Sequence, residues 1–228
     1  MKRPVAFFDI DGTFFRSSLL IELVEHLVKE GVFPAETRDM YHNEYVAWLN
    51  REGDYETYIM AVIKAYMGNI KGVYYGDLAD IGKRVVSLHR HRVYRHTRNT
   101  INELKLEGYY LVAISQSPKT ILDEFCRGYG FDKVYGRMYE IGPQDKFTGV
   151  VTEEHLIENK ASIAQRVFKK EEVDSTRSIA FGDTEGDISL LETVTEPVCF
   201  NPNKKLYQYA KKRQWPIVIE RKDVIYHL

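Results

Sequence analysis

The sequence predicts an α/β fold: a mostly parallel sheet interrupted, after its first strand, by a block of helices. Three observations lead there. Ala6, Phe7 and Phe8 form an apolar strand that runs into Asp9-Ile10-Asp11-Gly12-Thr13. Residues 18–95 then read as almost entirely helical. Beyond them, short apolar runs alternate with amphipathic helices, which is the pattern of a parallel sheet covered on both faces. The expected organisation is therefore a core made of residues 1–16 and 96–228, with residues 17–95 forming an inserted helical domain.

Each element has a local reason. Leu20, Val24, Leu27 and Val28 share one helical face, with Ser17 or Ser18 as N-cap and Gly31 as stop. Pro34 opens a second helix carrying Met40, Tyr41, Tyr45, Trp48 and Leu49. Asp54 caps a third helix with Tyr58, Ile59, Val62, Ile63 and Tyr66, and Asp77 caps a fourth. In the core, "TRNTINELKLEG" is a helix, "YYLVAIS" a buried strand and "SPKTILDEFCRGYG" a helix with Pro118 in its first turn. The strands "DKVYGRMYE" and "FTGVV" flank the turn "IGPQD". There follow a helix "NKASIAQRVFKKEEV", a strand "RSIAFGD", a helix "GDISLLETV", a strand "EPVCFN", a helix "NKKLYQYAKKRQ" and a strand "PIVIE".

Composition excludes several classes. The 228 residues carry a formal net charge of −1, so no global field draws the chain to nucleic acid or to a membrane surface. Cys126 and Cys199 lie far apart in apolar segments and read as reduced, buried thiols. No apolar run reaches the roughly 18 residues of a membrane span, and charge interrupts the N-terminal stretch too early for a signal region. The basic stretch "KRVVSLHRHRVYRH" reads as a solvated helix face leading back to the core, since no carboxylate or thiol frames its histidines as metal ligands. A cytoplasmic monomer or homodimer is expected.

The chemistry gathers where such sheets bind ligands, beyond the carboxyl ends of the strands. In a strand, i and i+2 share a face, so Asp9 and Asp11 lie side by side and call for a cation or a shared proton. Alone, the pair would also suit an Asx-turn of solvated acids. Ser115-Gln116-Ser117-Pro118 ends the second core strand, Asp183-Thr184-Glu185-Gly186-Asp187 ends a later one, and Lys160 opens the helix between them. Carboxylates suit a hard cation such as Mg²⁺, which also contacts substrate phosphate. A serine at a helix N-terminus suits an anion. Together they read as a phosphate-plus-magnesium site built without a P-loop.

"DIDGT", "ISQS", "NK" and "GDTEGD", in that order, resemble the four motifs of the haloacid dehalogenase-like phosphohydrolases. The early helical insertion and the tail "VCFNPNKKLYQYAKKRQWPIV" are similar to their phosphoserine-phosphatase-like branch (subfamily IB). The resemblance implies a Rossmann-like core with a C1-type helical cap and a Mg²⁺-dependent hydrolase acting on a small phosphorylated metabolite. By the same resemblance Asp9 is the nucleophile and forms an aspartyl-phosphate, and Asp11 is the general acid and base, its backbone carbonyl touching the metal. Ser115 and the amide of Gln116 bind phosphoryl oxygens, Lys160 screens the charge, and Asp183 ligates Mg²⁺ with Asp9 and Asp11. Thr13 orients the first motif, and Asp187 supports the metal from behind or partners Lys160.

The chain departs from that branch at three places. Ser18 stands where phosphoserine phosphatases carry the glutamate that holds the substrate ammonium, with Glu22 one helical turn further on. Gln116 and Ser117 replace small residues, and Gly186 replaces an asparagine. Phosphoserine is accordingly not the expected substrate, and Ser18→Glu is expected to favour it if that position faces the pocket. The rival readings are phosphoryl transfer to an acceptor other than water and a catalytically idle binding module. Buried acids kept without a role would be costly, which disfavours the second.

Overall fold

The computed structural model describes residues 2–153, 157 and 159–228. These form an eight-stranded sheet in the order β4-β3-β2-β1-β5-β6-β7-β8. Strand β1 (Arg3–Asp9) is central, flanked in parallel by β2 (Tyr110–Pro118) and β5 (Val173–Gly182). Strands β3 (Lys133–Ile141), β6 (Glu196–Phe200) and β7 (Ile217–Arg221) extend the parallel part. The edges are antiparallel, formed by β4 (Phe147–Thr152) on β3 and β8 (Val224–His227) on β7.

The period of two along β1 divides the core. Ala6 and Phe8 face a cluster that includes Ile101 and Leu104 of α5 (Arg95–Leu106) and Ile121 and Phe125 of α6 (Lys119–Arg127). Val5 and Phe7 face the other side, packed with α7 (Lys160–Lys170), α8 (Ile188–Leu191) and α9 (Lys204–Arg213). Phe8 stacks on Phe181 at 4.6 Å between ring centroids and takes an edge of Phe131. Burying a ring of this size stabilises the fold by about 1.5–3 kcal/mol. Both cysteines are free and buried. No helix among the described residues is long and apolar enough to cross a membrane.

Between β1 and α5 the chain forms α1 (Leu19–Lys29), a 3₁₀ turn at Ala35–Met40, α2 (His42–Leu49), α3 (Tyr55–Asn69) and α4 (Tyr75–His89). The outgoing and returning segments run side by side: Arg16 N–H donates to Arg92 C=O at 2.9 Å and Tyr94 N–H to Phe14 C=O at 3.0 Å. A second tie lies at the hairpin β3–β4, where Gly72 N–H donates to Phe147 C=O at 2.8 Å and Phe147 N–H to Val73 C=O at 2.9 Å.

Five expectations of local structure are corrected. The helix from Pro34 is a 3₁₀ turn followed by α2, because Glu25 of α1 accepts from Arg38 Nε at 3.0 Å and from the Tyr41 hydroxyl, which draws the turn onto α1. Helix α4 begins at Tyr75, so Asp77 lies in its first turn and not at its cap. Pro118 ends β2 and is the N-cap of α6, one step before the first turn. The helix after Gly186 is a 3₁₀ turn and four α-helical residues, since Thr195 hydrogen-bonds Ser178 and pulls the chain into β6. Strand β8 is not among the expected elements. Its two-residue turn places Lys222 at φ 55°, with no Gly or Asn to signal it.

Candidate active site

Four chain segments meet at the carboxyl ends of β1, β2 and β5. Asp9 is the last residue of β1, and the chain must then turn sharply. Gly12 makes that turn at φ +89°, and a Cβ there would lie 2.3 Å from Asp183 Oδ2. Only glycine allows the two segments so close. Thr13, fully buried, donates to Asp183 Oδ1 at 3.0 Å and so ties the first turn to the end of β5.

Lys160 is 6% exposed and sits between two carboxylates, 2.5 Å from Asp9 Oδ1 and 2.5 Å from Asp187 Oδ1. Asn159 caps its helix by accepting from Ala161 N–H and Ser162 N–H. The other Asp187 oxygen accepts from the backbone N–H groups of Asp183 and Thr184, each at 3.0 Å. Asp187 therefore anchors both Lys160 and the loop that carries Asp183. Gly182 leaves the room: a Cβ on it would fall 2.4 Å from Asp187 Cβ.

Asp9, Asp183 and Asp187 each offer an oxygen within 4.8 Å of the others. Asp9 Oδ2 is buried and has no hydrogen-bond partner among the described residues. Burial pushes the Asp9 carboxyl up to about 7, Lys160 opposes this, and Asp187 and Asp11 add to it. Burial also lifts Asp183 well above the usual carboxylate range, helped by Asp9 and Asp187. Burial alone would lower the Lys160 ammonium, but Asp187 and Asp9 outweigh it and hold it above its ordinary value. An orphaned carboxylate oxygen beside a second crowded acid is the donor set of a hard divalent cation.

Asp11 lies apart from that trio. Its Oδ1 accepts from Leu19 N–H at 2.6 Å, at the N-terminus of α1, and its Oδ2 accepts from the hydroxyls of Ser115 and of Ser117, the latter at 2.8 Å. Burial raises its pKa, against those three hydrogen bonds. Ser115 is fully buried, and Ser117 N–H donates back to its Oγ at 2.8 Å. The Gln116 side chain points elsewhere: it donates to Ile157 C=O at 2.9 Å and accepts from Arg137 at 2.8 Å.

A cleft of about 1440 Å³ opens at Gly12 and Asp183, bounded by the core on one side and by α2 and the start of α3 on the other. Two phenols that sequence reasoning did not place at the site flank its floor. Burial and then the charges of Asp11, Asp183 and Asp9 raise the pKa of Tyr55, which lines the cleft from α3. Tyr94, from the returning segment, is raised by burial and by Asp183. Tyr55 follows a helix cap and Tyr94 sits in a basic stretch, and neither position carries a sequence signal for this.

Ser18 does not face the cleft. It is 3% exposed and caps α1 by accepting from Leu20 N–H at 3.2 Å. The expectation that Ser18→Glu creates an ammonium site is withdrawn on this geometry. That variant is expected to gain no phosphoserine turnover and to lose at least about 1 kcal/mol through the lost cap, read as a lower Tm. Glu22 does line the cleft, but Arg92 meets its Oε1 at 2.6 Å and Ser17 donates to the same oxygen at 3.0 Å.

Comparison with known proteins agrees with this architecture. A protein of Streptomyces azureus called "Inhibition of morphological differentiation protein" is 24% identical over 220 residues, covering 96% of this chain and 79% of that one. A histidinol-phosphatase of Neisseria meningitidis serogroup C is 24% identical over 225 residues, covering 95% and 98%. The solved structure of a substrate-bound phosphoserine phosphatase complex superposes with a TM-score of 0.65 at 21% identity, over 98% of this chain and 95% of that one, a likeness of fold. The sequence model of the haloacid dehalogenase-like hydrolases matches residues 6–192, which include every acid of the site. The chain belongs to the haloacid dehalogenase-like hydrolase family.

Proposed function

We propose that the chain is a phosphatase that hydrolyses a phosphomonoester through an aspartyl-phosphate at Asp9. The observation that carries this reading is the state of Asp9: one oxygen is fixed by Lys160 and the other is buried without a partner. A carboxylate held that way is aimed and undersolvated, as a nucleophile must be. The histidinol-phosphatase and phosphoserine phosphatase relatives support a small phosphorylated substrate.

The steps follow from the side chains. Asp9 attacks phosphorus while the bond to the leaving oxygen breaks. Asp11, whose burial favours its protonated form, gives the leaving oxygen a proton. It then takes one from the water that opens the aspartyl-phosphate. The backbone N–H of Gln116 would take a phosphoryl oxygen, as would the Ser115 hydroxyl on turning from Asp11, and Lys160 offsets the negative charge that Asp9 and the phosphate bring together. Asp9 and Asp183, with the Asp11 carbonyl, would hold Mg²⁺, and Asp187 would orient Lys160. Mg²⁺ would supply Lewis-acid polarisation of the phosphoryl oxygens. The helices of residues 17–95 act as a cap that shields the reaction from water.

Turnover of an aryl phosphate is expected to stop in EDTA and to return with Mg²⁺. In Asp183→Ala the Mg²⁺ concentration for half-maximal rate is expected to rise at least about tenfold, the cost of losing even an indirect partner of a metal. Full rate in EDTA, or an unchanged Mg²⁺ requirement in the variant, would remove the metal from this reading.

A further inference from the structure

The cleft is larger than the phosphoryl chemistry requires. Small-ligand pockets run to about 1,000 Å³, and this one reaches about 1440 Å³. Its far wall is aromatic. Trp48 and Tyr55 meet edge to face at 5.5 Å, Tyr55 meets Tyr58 at 6.2 Å, and Tyr45 meets Tyr58 at 5.4 Å. Tyr45 remains 39% exposed, and Trp48 and Tyr55 are half-buried, so their rings are partly open to the cleft.

The walls carry seven cations and seven carboxylates, so their charges balance in number, but not every charge has a partner. Glu22 is matched by Arg92, Glu25 by Arg38 and Glu185 by Lys205. Asp54 caps α3, and Glu220 accepts from the N–H groups of Arg95 and His96 at the start of α5. Asp54, Glu56 and Glu220 therefore keep their charge without a cation within 4.0 Å, and Arg16, Arg51, Lys204 and Arg221 have no carboxylate within 4.0 Å among the described residues. Two of them are laid over rings: Arg51 at 5.0 Å from the Trp48 centroid and Arg16 at 5.7 Å from that of Tyr94. A guanidinium over a ring keeps its N–H edge free for an anion. None of the four pairs with Asp9, Asp11, Asp183 or Asp187, whose buried counter-charge is Lys160.

We propose that the substrate is a phosphomonoester whose leaving group is a planar ring system bearing a second negative charge, the ring resting on Trp48 and Tyr55 and the second charge meeting Arg16 and Arg51. The proposal rests on the phosphatase reading and specifies its substrate class. It also predicts what the cleft rejects. Glu22 is already neutralised by Arg92, so that glutamate is not open to the ammonium of a leaving group.

The test compares kcat/KM for adenosine 3′,5′-bisphosphate (ring and second charge), 1-naphthyl phosphate (ring alone), glycerol phosphate (neither) and phosphoethanolamine (ammonium, no ring and no second negative charge). Naphthyl phosphate is expected to exceed glycerol phosphate by about tenfold or more, the scale of one aromatic stack. The bisphosphate is expected to exceed naphthyl phosphate by a similar factor, and phosphoethanolamine to fall with glycerol phosphate. In Trp48→Ala the naphthyl-to-glycerol ratio is expected to collapse towards one. In Arg16→Gln/Arg51→Gln the bisphosphate-to-naphthyl ratio is expected to do so. Because each readout is a ratio within one variant, a partial loss of folded enzyme cancels. Turnover of all four esters with equal kcat/KM, or ratios untouched by the variants, overturns the substrate class while leaving the phosphatase reading intact. Absence of any Asp9-dependent turnover overturns the phosphatase reading itself.

Discussion

Asp9→Asn is expected to lose at least about 10³-fold in turnover, the scale seen when a catalytic nucleophile is removed, while the folded protein survives and in EDTA becomes harder to melt. The first half follows from chemistry: an amide oxygen cannot form the acyl-phosphate. The second follows from the site's charge. Asp9, Asp11, Asp183 and Asp187 share one buried cation, Lys160. The amide of the variant would still offer that ammonium an oxygen, and Asp187 keeps its own contact. The sign is set by the Asp9 pKa, raised from 3.8 to about 7. The folded state binds that proton more tightly than the unfolded chain, so this group's contribution is fully favourable below the unfolded value. It is lost as pH rises towards the folded one. The Tm of the variant should therefore match that of the wild type near pH 4 and exceed it increasingly up to pH 7 and above. Mg²⁺ should reverse the order, because a cation stabilises the wild type by binding the ionised form. A variant that melts below the wild type in EDTA at every pH would show that the acid pair is not under electrostatic load. Retained turnover in freshly purified protein would remove Asp9 as nucleophile.

The acids were legible in the sequence because strand geometry and ligand chemistry act at short range. Asp9 and Asp11 are two residues apart, and Asp183 ends a strand of the kind whose ends meet Asp9 in a parallel sheet. Lys160 and Asp187 carry no such signal. An amphipathic helix can open with a lysine for many reasons, and only the order of the four motifs assigns this one. What the sequence did not disclose depends on contacts between distant segments. Glu25 reshapes the stretch after Pro34 through Arg38 and Tyr41. Ser18 sits at the position of a substrate-binding glutamate yet spends its side chain on the first turn of α1. Tyr55 lines the same cleft as Asp183 only because the fold brings α3 to that cleft. Local pattern thus predicted the sheet and the clustering of its acids, while the contacts of residues 17–95 depend on segments far apart in the chain.

Lys160→Met is expected to abolish turnover and also to destabilise the fold by about 3–5 kcal/mol at pH 8, the cost of leaving buried charges unpaired. Local preference does not put a lysine there: a cation in the first turn of a helix opposes the helix dipole. Its place is explained by Asp9 and Asp187, each 2.5 Å away. The Lys160 pKa lies above its ordinary 10.5, so its stabilisation is complete below that value and is lost only at still higher pH. Between pH 4 and pH 8 the lysine in the wild type stays charged, and whatever changes in the variant comes from the carboxylates. Without the ammonium Asp9 holds its proton to higher pH, since Lys160 is what opposes its rise, and a protonated acid needs no cation. The stability gap between wild type and variant, measured by urea unfolding in EDTA, should therefore be small at pH 4 and widen towards pH 8. A gap of constant size would mean that Lys160 contributes only by filling space, which Met nearly matches. Such a result would undo the assignment of Lys160 as the counter-charge that lets a buried aspartate attack a dianion.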